Sequence, residues 1–270
     1  MTKQMTGGVA LILAAFPICG WAQNASDVAA AAQGADVLIL GEVHDNPAHH
    51  AMQADVVGQL DPSALVFEML DRSEAALLTP ELAADATALA AALDWENSGW
   101  PDFAFYFPLF QHAATRAAYG AEVSREAAQE AFITGAADAF PGQAARFGLT
   151  EPLPDDQQTA REAGQMAAHC DALPEDLLPG FVEAQRLRDA ALADAALQAL
   201  EVHGPPVVVI TGNGHARRDW GVPALLQIAA PDVAVFSLGQ VEGDRPDDAP
   251  FDIVVTADPV DRPDPCAAFR

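Results

Sequence analysis

Val37-Leu38-Ile39-Leu40-Gly41-Glu42-Val43-His44-Asp45-Asn46-Pro47 decides the fold of this chain. An apolar run stops at a glycine and then presents an acid and a histidine. Bounded by turn residues, such a run reads as a strand buried on both faces. Val207-Val208-Val209-Ile210-Thr211-Gly212-Asn213-Gly214-His215-Ala216-Arg217 repeats the pattern near the other end. In open parallel α/β sheets, ligands sit just past the carboxyl ends of the strands. The two segments therefore predict His44 and His215 at one edge of one sheet.

Working outward, residues 26–34 read as a short helix leading into strand 37–40. His49 to Leu60 has helical apolar spacing at Met52, Val56, Val57 and Leu60, and Asp61-Pro62 ends it. Ala64 to Met69 is the next strand, with Glu68 near its carboxyl end. Pro80–Leu93 and Leu109–Tyr119 read as helices, and a short strand is expected at 121–124. Residues 153–200 offer no strand; they read as a helical insertion subdomain whose return arm is a long helix from Gly180 to Val202. Strand 207–210, helix 222–229, strand 233–238 and a further strand candidate at 251–257 follow. Alternating strands and helices imply one α/β domain over residues 23–270, with a mainly parallel sheet, flanking helices and right-handed crossovers.

The 270 residues are enough for a sizeable core. The first 22 read as a cleavable export signal: Lys3, an apolar stretch from Val9 to Ile18, then Gly20-Trp21-Ala22. The stretch is too short for a membrane span and carries Pro17. Cys19 lies where a lipoprotein cysteine would, but Ile18 stands before it instead of a small residue, so the reading favours a cleaved, periplasmic product over lipid anchoring. The formal charge of −26 argues against nucleic-acid and anionic-membrane partners. Beyond the signal only Cys170 and Cys266 remain; an oxidising compartment permits a disulfide, and two separate thiols are equally compatible with the spacing.

Along an extended segment Glu42 and His44 point the same way, because side chains alternate with period two. Taken alone, this pair is as well explained by local hydrogen bonding. The second segment changes the balance, because Gly212 and Gly214 allow close backbone approach to a ligand around His215. Arg217 and Arg218 stand out among 13 basic residues; they suit either ligand carboxylates or acidic neighbours. Between residues 95 and 110, Trp95, Trp100, Phe103, Phe105, Tyr106, Phe107 and Phe110 crowd together, either as core or as the wall of a cofactor slot, and the hydroxyl of Tyr106 needs a polar partner. The chain contains neither a Gly-x-Ser-x-Gly elbow nor a phosphate loop.

Together these segments resemble the haem-binding-uptake, Tiki-like superfamily, and within it the ChaN-like family. The resemblance rests on Gly41-Glu42-Val43-His44-Asp45-Asn46-Pro47-x-His49-His50, Phe67-Glu68-Met69 and Trp95…Trp100-Pro101…Tyr106-x-Pro108. Gln185-Arg186-x-Arg188-Asp189 and Gly212-Asn213-Gly214-His215-x-Arg217…Gly221-Val222-Pro223 complete it. One departure is Val123-Ser124-Arg125, where relatives carry an Asn after the strand. The resemblance implies an α/β domain with a helical subdomain, a role in haem or iron acquisition, and haem binding as a homodimer, fed by an outer-membrane uptake system. It implies Tyr106, His44, His215 and Arg217 as haem-binding residues, with Tyr106 as a phenolate on ferric iron. More distant relatives are erythromycin esterases and metal-dependent proteases, which share the Glu-x-His strand end and a late Gly-x-x-His. They imply an alternative: a divalent metal ion held by Glu42, His44, Glu68 and His215 in a hydrolase. A third reading, an interaction module with a vestigial pocket, also fits.

Overall fold

Six strands, all parallel, form one sheet: β1 (Val37–Glu42), β2 (Ala64–Phe67), β3 (Ala118–Gly120), β4 (Val207–Gly212), β5 (Val235–Glu242) and β6 (Ile253–Ala257). Their order is β3-β2-β4-β1-β5-β6. This is a computed structural model, and it describes residues 24–264, 266 and 267. Residues 1–22, which the sequence reads as an export signal, lie outside the described residues. Every residue of β1 and β4 is buried, as their unbroken apolar character requires. Alternate residues divide between two cores. Leu38, Leu40, Leu65, Phe67, Val208 and Ile210 face the helices Pro47–Leu60 and Phe103–Ala114. Val37, Ile39, Val66, Val207 and Val209 face the opposite layer, with Leu187, Ala190 and Ala193 of the helix Leu178–His203.

Between residues 153 and 200 the structure contributes no strand, and its two main helices, Asp155–Ala168 and Leu178–His203, are in contact. The long helix also lies directly on the sheet. Four sequence expectations shift. The helix expected at Pro80–Leu93 divides at Asp85, which caps the helix Ala86–Ala92 after a tight turn at Leu82–Ala84. The third strand is Ala118–Gly120, not 121–124, because Ser124 caps the next helix, Arg125–Thr134, by accepting from the Ala127 N–H. The helix expected at 109–119 begins at Phe103, inside the aromatic block, where Asp102 caps it and Pro108 sits on its exposed side. β5 runs on to Glu242, past the expected end at 238.

Cys170 and Cys266 form a disulfide, with their Cα atoms 5.4 Å apart. It joins the end of the Asp155–Ala168 helix to the C-terminal tail. Arg262 clamps that tail to the β1 loop and to β5, through Asp45 (2.8 Å) and Glu242 (2.7 Å). Among the described residues, no helix is long and apolar enough to cross a membrane.

Candidate functional site

The register brings the strand ends to one level. Gly41 pairs with Thr211, Glu42 with Gly212, and Phe67 with Ile210, so Glu42, Glu68 and His215 emerge at one edge. The two sequence motifs also interlock. Asn213 reaches across β1 to β5, donating to the Gln240 carbonyl (2.5 Å) and accepting from its N–H (3.0 Å). A Cβ on Gly41 would lie 2.6 Å from the Asn213 Oδ1, so only glycine lets this bridge pass. Gly212 serves His44 in the same way: a Cβ there would stand 2.9 Å from the imidazole. Gly214 has open space around it.

Two hydrogen-bonded groups result. In the first, Glu42 is buried beneath β1. Its Oε1 accepts from the Tyr106 hydroxyl (2.9 Å) and bonds His44 Nδ1 (2.8 Å), while His50 Nδ1 lies 3.4 Å from Oε2. His50 Nε2 in turn holds the His44 carbonyl (2.8 Å). His44 is the exposed member: its side chain is 39% accessible, it stacks edge-on against Trp100, and among the described residues no hydrogen bond engages its Nε2. In the second group, His215 Nδ1 meets Asp189 Oδ1 (2.7 Å), and its Nε2 faces Glu68 Oε1 (3.5 Å). The other Glu68 oxygen accepts from Thr211 Oγ1 (2.6 Å) and the Gly212 N–H (2.8 Å).

The charge states follow from these contacts. Burial opposes protonation of His44 and His215, but nearby carboxylates outweigh it: Glu42 and Glu68 raise His44, and Glu68 and Asp189 raise His215. Glu68 is held below the usual carboxylate range despite its burial, by both histidines and by its two donors. Asp189 is raised by burial, against the pull of His215. The Asp189–His215 pair thus keeps a proton, opposite an ionised Glu68. Tyr106 is pushed well above the ordinary tyrosine value, by burial first and then by Glu42.

A cleft of about 530 Å³ opens over this edge. It is lined by Glu42, Val43, His44, Gly212 and His215 from the strand ends, by Val182 and Asp189, and by Arg161, Gln165, Arg217 and Trp220. Of the residues predicted from sequence, Glu42, His44, His215 and Arg217 line it. Glu68 lines a smaller adjoining chamber of about 210 Å³ with Trp100 and Arg188. Tyr106 lines neither. It is fully buried among Trp95, His50 and Phe110, and its hydroxyl is spent on Glu42. Its place is behind Glu42, and burial disfavours the phenolate expected of it. Arg217 is also engaged, pairing with Asp219 (2.6 Å) over the Trp220 ring. The four residues expected to hold a metal are paired off instead: Glu42 with Tyr106 and His44, Glu68 with Thr211, Gly212 and His215. Among the described residues, no group of three or more His, Cys, Asp or Glu is placed to hold a metal ion.

Sequence reasoning singled out neither Arg161 nor Trp220. Asp189 appeared only within a motif, without a role. Their signal is tertiary, since they come from helices and loops distant in the chain. A separate, more apolar cavity of about 450 Å³ lies beside β3, between Tyr119, Phe140 and Leu187; it contains none of these histidines.

Fold and site together define an α/β protein with a histidine-lined cleft at the carboxyl edge of a parallel sheet. The family model described as "Haem-binding uptake, Tiki superfamily, ChaN" matches residues 28–226, and the chain belongs to that family. Among solved structures, it is similar to ChaN of Campylobacter jejuni, described for cofacial haem binding. The TM-score is 0.64 at 20% identity, over 85% of this chain and 90% of that one. Fainter likenesses are to the type III effector HopBA1 (TM-score 0.47, 14% identity, 88% and 94% covered) and to a mutant of the erythromycin esterase EreC in its open conformation (0.43, 11%, 80% and 72%). A search of curated proteins gave no match.

Proposed function

We propose that this protein binds haem in the strand-end cleft and takes part in iron acquisition, as an exported periplasmic protein whose residues 1–22 are the signal. Membership of the haem-binding uptake family supports the ligand class. The observation that carries the reading is His44. Its Nδ1 is held by Glu42, its ring rests on Gly212 and Trp100, and its unengaged Nε2 belongs to a side chain that lines the cleft. A histidine oriented through its other nitrogen by a carboxylate suits an iron ligand. The residues present fit the group in this respect, and the cleft also offers the apolar Val43, Val182 and Trp220 to a macrocycle. Bound haem would supply iron for transfer. The chain's own task is to seat it and shield it, with His44 toward the metal and Glu42, Tyr106 and His50 fixing His44 from behind.

The relative from Campylobacter jejuni is described for cofacial haem binding. By extension, two copies of this chain would pair over stacked haems, receiving them from an outer-membrane uptake system. Titration of the purified protein with haemin tests the reading: a Soret shift saturating at one haem per chain is expected, lost in His44→Ala and retained in Tyr106→Phe. Absence of any shift in the unaltered protein overturns it. Light scattering with and without haem tests pairing.

A second reading is favoured by one observation, the Asp189–His215–Glu68 line, in which a histidine is held between two carboxylates beside a cleft. Such a group can move protons, which a hydrolase requires. A screen of ester and peptide substrates, with and without added divalent metal, tests it. Turnover abolished by His215→Ala is the expected outcome of that reading.

A further inference from the structure

Arg161 has the wrong surroundings for a structural arginine. It is only 7% accessible, yet its side chain lines the cleft. Among the described residues, no carboxylate lies within 4 Å of its guanidinium. One nitrogen donates to the Trp220 carbonyl (2.5 Å), the guanidinium lies 5.6 Å from the Trp220 ring centre, and its buried Nε has no partner. Asp189, Asp219 and Glu183 act on it only from a distance, and Asp189 and Asp219 are already committed to His215 and Arg217. A buried cation without a counter-ion is costly. The anomaly is greater in a chain of net charge −26, where acids are abundant and any of them could have filled the place. The neighbouring Arg217, by contrast, is neutralised by Asp219.

We propose that Arg161 anchors a carboxylate of the ligand that occupies the cleft, the ligand itself completing the ion pair the protein leaves open. The inference deepens the haem reading above and, under that reading, the carboxylate is a haem propionate. A guanidinium suits this task, because its fork of donors matches a carboxylate. The helix Asp155–Ala168 then has a specific purpose: Arg161 is its one buried residue, carried over the strand ends by an otherwise solvated segment.

The experiment compares haemin with its dimethyl ester, in which both propionates are neutral, on the full-length mature protein and on Arg161→Gln and Arg161→Lys. A charge-assisted bond of this kind corresponds to roughly a ten- to hundredfold change in affinity. Haemin is expected to bind Arg161→Gln weaker by that factor, with partial recovery in Arg161→Lys. The ester is expected to bind all three proteins alike, and weakly. Equal losses for haemin and ester on substitution, or no loss for either, overturn the proposal.

Ligand-free melting separates anchoring from a structural role. Removing an uncompensated buried charge should leave the melting temperature of Arg161→Gln unchanged or raised. A clear drop with unchanged haemin affinity assigns Arg161 to structure and also overturns the proposal. If the unaltered protein binds no haemin, the haem reading fails on its own, and calorimetry with 3-phenylpropionate then decides about Arg161. Saturable heat that disappears in Arg161→Gln supports a carboxylate from another source, and absence of heat refutes the anchor.

Discussion

Two regions beside the cleft are built on different principles, and only one of them lines it. Behind β1 stands the aromatic block, where Trp95, Tyr106 and Phe110 pack ring on ring and one hydroxyl reaches Glu42. The other region is the helix Asp155–Ala168, polar through its first turns, with Arg161 as its single buried side chain. The aromatic residues attract attention in the sequence as a cofactor slot. In the structure Trp95, Tyr106 and Phe110 are core and Trp100, Phe103, Phe105 and Phe107 pack half-buried against them, while the polar helix lines the cleft. A dense apolar cluster satisfies itself, and packing leaves little of it to offer a ligand. An amphipathic polar segment that buries one charge retains an unmet electrostatic demand. The aromatic block therefore orients His44, whereas the polar helix sets the charge in the cleft.

Several experiments can break or sharpen this contrast. The largest effect is expected from Asp189→Ala, which leaves the His215 imidazolium buried against Glu68 alone. Loss of one partner from a buried pair costs about 3–5 kcal/mol, read by denaturant unfolding. A loss below 1 kcal/mol would mean that His215 is neutral and unsupported by Asp189.

Next is Cys266→Ser. The disulfide spans 96 positions and ties the end of the polar helix to the tail. Its removal should reduce stability by about 2–4 kcal/mol. Hydrogen exchange should rise along residues 155–170 while the helix Phe103–Ala114 stays protected. Uniform loosening of both would show that the two regions are one cooperative unit.

Tyr106→Phe removes a buried donor from Glu42, at a cost of about 1.5–3 kcal/mol. The haem spectrum should keep its ligand signature, and a changed signature would move the iron ligand into the aromatic block.

Gly212→Ala should be milder, within about 1 kcal/mol in stability, because its backbone angles suit alanine and only the His44 ring must yield. Haem affinity should nevertheless fall, as His44 is displaced. A full complement of haem affinity in this variant would separate His44 from the ligand.

The smallest expected effect is a gentle pH slope. His44 and His215 titrate above the ordinary 6.5, so the stability they confer is complete below pH 6.5 and is lost as pH rises through their folded values. Glu68 titrates below 4.5, and its contribution is lost as pH falls from there. Iron ligation by His44 Nε2 should weaken in acid from a point above pH 6.5. Ring-proton NMR titration checks both directions.

Much of the sheet was legible because local rules decide it. β1, β2 and β4 announce themselves as β-branched apolar runs ended by turn residues. Strand ends in parallel sheets collect ligands, which singles out Glu42, His44 and His215 from the sequence alone. β3 is not legible in the sequence, because three half-buried residues carry no periodic signal. The start of the helix at Phe103 was hidden by Pro108, which reads as a break yet is accommodated on the exposed side. The disulfide was left open by the sequence, because spacing does not reveal proximity, and the folded path of the tail closes it.

What the sequence by itself determined is the strand pattern and the pair of glycine-bounded strand ends, because backbone alternation and turn chemistry act within a few residues. Only the tertiary structure decided which groups face the cleft. Whether Tyr106 or His44 is open, whether Arg217 or Arg161 is neutralised, and whether Asp189 touches His215 all depend on side chains from distant segments competing for the same partners. Burial and charge pairing are properties of the assembled neighbourhood, and no single segment contains them.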